Sequence, residues 1–227
     1  MKTLKIYHHL IYAVIFIADL LLMALGLHQL EYIVKPAILL SIIAMFLQMV
    51  PSKSSIFKWG LLAFTFSLIG DVVLLFSGLN EVFFLAGIGS FLLSHLFFIV
   101  TFLKHEHKQT SYLKSKPVWI ITIVTLGILL YACLFPHLDN ILKIAVFVYA
   151  SAISTMVLVA INRKNQVTES SFIWVTLGAI LFFISDSLLA TNKFWISIPL
   201  SSIWIMSTYM LAQYFILSGL VRQEKLV

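Results

Sequence analysis

The sequence predicts an all-α membrane protein of eight transmembrane helices, and three observations lead there. Of 227 residues, 61% are hydrophobic and 11% charged. The mean hydropathy is +1.05, a balance outside that of soluble domains. Apolar runs of about 20 residues, the length that crosses a bilayer as a helix, recur along the whole chain. The basic residues fall mostly into alternate connections between those runs, as they do in polytopic proteins.

The runs lie at about 9–27, 34–50, 56–76, 82–104, 117–135, 141–161, 170–190 and 199–221. Their length fits helices and is too great for the strands of a barrel. The opening "MKTLKIYHHLIYAVIFIADLLLMALGL" has the basic start and small-residue "ALG" of a secretory signal. Its apolar run of roughly 19 residues is long enough to span, so it is read as a retained first helix. Pro36, Pro51, Pro117, Pro136 and Pro199 fall at or near the ends of runs, where a missing N–H does little harm. With short connections and 9 Gly and 5 Pro in all, nothing resembles a linker. The expectation is one polytopic domain over residues 1–227. Cys133 is the only cysteine, which excludes an intrachain disulfide and a multi-cysteine metal site.

Lys2, Lys5, Lys53, Lys58, Lys104, Lys108, Lys114, Lys116, Arg163, Lys164, Arg222 and Lys225 fall on one side, twelve of the fifteen basic residues. Lys35, Lys143 and Lys193 fall on the other. The positive-inside rule then puts both termini in the cytoplasm, in the cell membrane or, in a Gram-negative bacterium, the inner membrane. Spread over short loops without interleaved aromatics, these charges give no nucleic-acid surface. Trp59 and Trp195 suit interfacial anchors. An internal echo, "IGDVVLLF" in the third run and "ISDSLLAT" in the seventh, is compatible with a parallel four-plus-four repeat. The two aspartates stand 186 − 71 = 115 residues apart, close to half the chain.

Asp71 and Asp186 are the candidate catalytic residues. A carboxylate inside an apolar run costs about 2.5–3.5 kcal/mol on insertion, so intramembrane acids normally face the bundle interior and do chemistry there. Counted from the predicted helix ends, both lie roughly 6–8 Å deep, at one level. In a shared cavity they would stand as a protonated acid beside an ionised carboxylate. Asp19, alone in the first run, is expected to be structural, bonded to a neighbouring helix. His95 is the one histidine well inside a run, and Tyr209 and Gln213, four apart, share a helix face. All three count out deeper than the aspartates. Lys35 and Lys193, at the outer ends of their runs, either snorkel to headgroups or hold a substrate phosphate.

The segments "YIVKPAILL", "LIGDVVLLF", "SHLFFIVTF", "VYASAISTM", "LGAILFFISDSLLATNKF" and "TYMLAQYF" together resemble the successive signatures of the YhhN-like family, the lysoplasmalogenases, over about residues 30 to 220. The resemblance implies a multi-pass membrane hydrolase that cleaves the vinyl ether of lysoplasmalogens to a fatty aldehyde and a glycerophospho-alcohol, with a lysophospholipid substrate and no cofactor or metal. The matching polar positions are Lys35, Asp71, His95, Tyr149, Asp186, Asn192, Lys193, Tyr209 and Gln213. A vinyl ether opens once its β-carbon is protonated, and water captures the resulting oxocarbenium ion. One acid and one carboxylate suffice, as in glycosidases. A metal hydrolase would need about three converging ligands, which the single deep histidine does not suggest. A proton-coupled transporter is the rival use of the same acids, but no run is interrupted by Gly or Pro at matching places in the two halves.

Overall fold

The computed structural model describes residues 6–104 and 111–223. Lys2, Lys5, Lys108 and Lys225, four of the charges used above for orientation, lie outside the described residues. The described chain is helical: α1 (Ile6–Ala24), α2 (His28–Met49), α3 (Phe57–Leu74), α4 (Glu81–Leu103), α5 (Tyr112–Ser115), α6 (Val118–Leu134), a 3-10 turn (Phe135–His137), α7 (Asn140–Asn162), α8 (Glu169–Phe194) and α9 (Ser201–Gln223). All of these helices except α5, eight in total among the described residues, are long and apolar enough to cross a membrane. The chain is a multi-pass membrane protein.

Local chemistry sets the boundaries. The "ALG" that imitates a cleavage site is the end of α1. Gly26 adopts φ +69°, the Leu27 N–H donates to the Leu22 carbonyl at 3.0 Å and the Gly26 N–H to the Met23 carbonyl at 3.2 Å. This is a Schellman turn, whose left-handed position glycine fills without strain. Asn80 caps α4 by accepting from the Val82 N–H. Asp139 caps α7 by accepting from the Ile141 and Leu142 N–H groups, and Thr168 caps α8 by accepting from the Ser171 N–H.

Two expectations need correction. Pro36 lies inside α2 rather than near its start. The polar segment before it is already helical, so the helix runs through the proline and forgoes one backbone bond. The aspartates also stand at different distances from their helix ends. Asp71 is 74 − 71 = 3 residues from the end of α3, about 4.5 Å, whereas Asp186 is 194 − 186 = 8 residues from the end of α8, about 12 Å. The polar "TNKF" continues α8 where hydropathy alone would stop it.

The helices group into two compact units. One runs through Lys104 and includes the end of α9 from Leu220, and the other extends to Gly219. In the first, α1 packs on α2, α2 on α3 and α3 on α4. The α3–α4 contact is knitted by hydroxyls: Ser67 and Ser94 share a hydrogen bond of 2.7 Å, Ser94 donates to the Ala63 carbonyl and Ser90 to the Phe66 carbonyl, both at 2.8 Å. Small hydroxyl residues let backbones approach and satisfy polar groups between helices. The last turn of α9 joins this unit, with the Gln223 side chain donating to the Lys104 carbonyl at 2.6 Å.

In the second unit α6 packs on α7 and α7 on α8. Helices α8 and α9 meet at glycines. A Cβ at Gly178 would stand 2.8 Å from the Ala212 carbonyl oxygen and 2.9 Å from the Ile216 nitrogen, whereas one at Gly89 would meet nothing within 4 Å. Gly178→Ala must therefore push two backbones apart and should cost about 1–3 kcal/mol. Thermal unfolding in detergent should show Gly178→Ala melting well below Gly89→Ala, which stays near wild type. Equal melting of the two would refute the close contact.

Candidate active site

In the first unit the candidate side chains come from α1, α2 and α3. Helix α1 buries His8, Tyr12, Asp19 and Met23, whose spacings of four, seven and four residues make one helical stripe. Tyr12 is 5% exposed and Asp19 not at all. On α2, Lys35 forms an ion pair of 2.7 Å with Glu31 one turn before it, an i,i+4 pair with the acid on the N-terminal side. On α3, Asp71 is 8% exposed. Tyr12 is within electrostatic range of both Asp71 and Asp19, and Asp19 of both Lys35 and Glu31. Lys35 thus begins paired to a glutamate, with one carboxylate neighbour already taken.

His95 belongs to the same unit but not to the same level. Helices α3 and α4 run antiparallel with Ser67 opposite Ser94, so Asp71 faces the neighbourhood of Ser90, and His95 lies about five residues, roughly 7.5 Å, deeper. Its ring is fully buried, with Nδ1 against the Phe91 carbonyl of the preceding turn. The depth gap expected for His95 persists.

In the second unit Asp186 has a direct partner. The Tyr149 hydroxyl on α7 donates to Asp186 Oδ2 on α8 at 2.5 Å. The residue before, Ser185, donates to the Ile205 carbonyl on α9 at 3.0 Å. Consecutive positions of α8, about 100° apart around the helix, thus fasten it to α7 and α9 at one height. Tyr209 and Gln213 are buried one turn apart on α9, with the Tyr209 ring edge-on to Phe182 of α8 at 5.4 Å. Asn192 and Lys193 fall in the last turn of α8. The Asn192 Oδ1 accepts from the Ile198 N–H at 2.9 Å, holding the α8–α9 connection. Lys193 is exposed.

Sequence reasoning assigned no functional part to Tyr12 and Glu31, and gave Asp19 a bonded structural role. Glu31 was visible as the i,i+4 partner of Lys35, and the His8, Tyr12, Asp19, Met23 stripe was visible as spacing. Asp19 does not take the expected bond to a neighbouring helix. Neither of its oxygens has a hydrogen-bond partner among the described residues. No group of three or more His, Cys, Asp or Glu among the described residues is placed to hold a metal ion.

Each of the two units thus carries an aspartate with a tyrosine neighbour on membrane-crossing helices. The chain belongs to the YhhN family, which it matches over residues 30–220. It is similar to lysoplasmalogenase TMEM86A of Bos taurus, 30% identical over 182 residues, which are 77% of this chain and 68% of that one. It is also similar to lysoplasmalogenase TMEM86A of Homo sapiens, 30% identical over 179 residues with the same coverage. A lysoplasmalogenase of Mycobacterium bovis is 30% identical over 138 residues, 60% of this chain and 50% of that one. No solved structure matches.

The Tyr149–Asp186 bond can be tested by a double-mutant cycle on unfolding in detergent. Tyr149→Phe alone should cost about 0.6–1.7 kcal/mol, the range for hydrogen bonds between transmembrane helices, and much less once Asp186→Ala has already removed the acceptor. Additive losses would mean that the two side chains do not interact.

Proposed function

We propose that this chain is a lysoplasmalogenase-type hydrolase that cleaves the vinyl ether of a lysophospholipid, releasing a fatty aldehyde and a glycerophospho-alcohol. The observation that carries the reading is the likeness, over 77% of the chain, to proteins named lysoplasmalogenase. The two intramembrane aspartates give it a chemistry. In this proposal Asp71 delivers a proton to the β-carbon of the vinyl ether. Asp186, already the acceptor of the Tyr149 hydroxyl bond, serves as the carboxylate that stabilises the oxocarbenium ion and takes a proton from the attacking water. The hemiacetal then collapses, its hydroxyl proton passing to the departing glycerol oxygen, and the sum is ether plus water to aldehyde plus alcohol. Proton transfer by two positioned carboxyls is the division of labour seen in glycosidases.

Lys35 and Lys193 are the proposed phosphate contacts. Lys193 is exposed at the end of α8, while Lys35 would have to share its ammonium with Glu31. Tyr209, Gln213 and His95 are the proposed substrate- or water-positioning groups, and Asn192 supports them by shaping the α8–α9 connection. A proton-coupled transporter is not favoured. The eight spans are continuous helices, without the paired interruptions that mark midplane transport sites.

Purified protein given a lysoplasmenyl phospholipid should release fatty aldehyde, and the rate should survive a chelator. Asp71→Asn and Asp186→Asn should each lower kcat at least about 100-fold, the lower bound for losing a positioned acid or base, while melting near wild type. Full activity in both variants would end the two-acid mechanism. No aldehyde from folded wild-type protein would end the assignment of substrate.

A further inference from the structure

Helix α8 has a second face beside the one that carries Asp186. Asp186 and Lys193, seven residues apart, share the first face. Ile180, Ile184, Ser187 and Thr191, spaced four, three and four, line a cleft on the second. The cleft lies within the second unit. Its opposite wall is α6, from Ile123 to Cys133, and its volume is about 490 Å³, the size of a small-ligand pocket. Helices α6 and α8, the first and third of three successive spans, run in the same direction. The cleft thus extends along 133 − 123 = 10 residues of α6 and 191 − 180 = 11 residues of α8, about 15–17 Å. That is one leaflet of a bilayer core about 30 Å thick.

The walls of the cleft select its occupant. Helix α6 also touches α8 directly, so another helix, about 10–12 Å across with its side chains, cannot enter between them. A single alkyl chain can. Polar groups stand towards one end only: Ser187 and Thr191 carry hydroxyls, and Trp195 closes that end, where tryptophan suits the membrane–water interface. No acid and no Lys, Arg or His lines the cleft. A phosphate entering it would meet no cation, and burying a charge without a partner costs far more than burying an uncharged polar group. We propose that the cleft binds a long-chain fatty aldehyde, its chain between α6 and α8 and its carbonyl oxygen accepting from the Thr191 hydroxyl or the Trp195 indole N–H. The link to turnover rests on the hydrolase reading, in which the aldehyde is the lipid-soluble product and the phosphate of the substrate is held on the Lys193 face. Leu129 and Ile184 on the two walls are exposed, so the cleft is open along its flank and exchanges its occupant with the bilayer.

The test uses the intact protein in nanodiscs and hexadecanal carrying a diazirine in its chain, with the photolysed crosslinks mapped by mass spectrometry. Crosslinks should concentrate on residues 123–133 and 180–191. Excess hexadecanal should remove them, and a lysophosphatidylcholine of equal chain length should not. Ile184→Trp fills the cleft from its exposed wall and should lower the labelling at least about tenfold, the lower figure for one methylene in an apolar pocket, with kcat at the wild-type level. Should Ile184→Trp unfold, Leu129→Trp on the opposite wall takes its place. This readout needs no turnover, so it stands or falls independently of the hydrolase reading. A lysoplasmenyl phospholipid with the same diazirine then tests the link, and should label the cleft in wild type but not in Asp186→Asn. Crosslinks spread evenly over the lipid-facing helices would overturn the site, and equal displacement by the lysophosphatidylcholine would overturn the preference for an uncharged end. Equal labelling of wild type and Asp186→Asn by the phospholipid probe would end the product assignment. Localised aldehyde labelling in a protein that releases no aldehyde from the phospholipid would sink the hydrolase reading and leave the ligand of the cleft standing.

Discussion

The hydrogen bond between Ser67 and Ser94 is the contact from which the first unit is best understood. Inside a bilayer two apolar helices gain little by meeting, because lipid tails are as good a neighbour as leucine, so close approach must come from small residues and polar bonds. Here hydroxyls on α3 and α4 bond each other and the facing carbonyls over two turns. That ladder sets the register of the two helices. Register in turn sets Asp71 opposite the neighbourhood of Ser90 and leaves His95 about five residues deeper. Sliding α4 by a single turn would exchange the polar levels without changing the hydrophobic pattern.

The two principal carboxyls are held in contrasting ways. Asp186 receives a hydroxyl from Tyr149 and is backed by Ser185, which ties the same turn of α8 to α9. Asp71 instead belongs to a group assembled from three helices, in which the ion pair lies between Lys35 and Glu31, and Tyr12 lies between two acids in electrostatic terms.

Much of this was legible in the sequence because a bilayer restricts what an apolar run can be. Eight runs became eight helices, and the aspartates stood out because no lipid-facing position tolerates them. Helix ends were less legible. The helical turn "TNKF" is polar, and hydropathy marks where apolar character stops rather than where hydrogen bonding stops. The error in depth for Asp186 follows from that alone. Asp19 illustrates a different limit. A lone acid in a run announces a cost but not its surroundings, and only the structure reveals that no donor among the described residues meets it. Tyr149 has no signal of its own among eight tyrosines. It entered through the family resemblance and was explained only when α7 and α8 were seen together.

The closing turn of α9 carries a consequence for how the protein is made. Gln223 reaches the Lys104 carbonyl across 119 residues of sequence, and the chain from Leu220 belongs with α1–α4 rather than with the helices that immediately precede it. Four helices emerge from synthesis early and can pair locally, yet the unit they form is finished by a turn that follows the whole of the second unit. Contacts so distant in sequence are the slow ones to form, so the first half must remain inserted and incomplete while the second is being built.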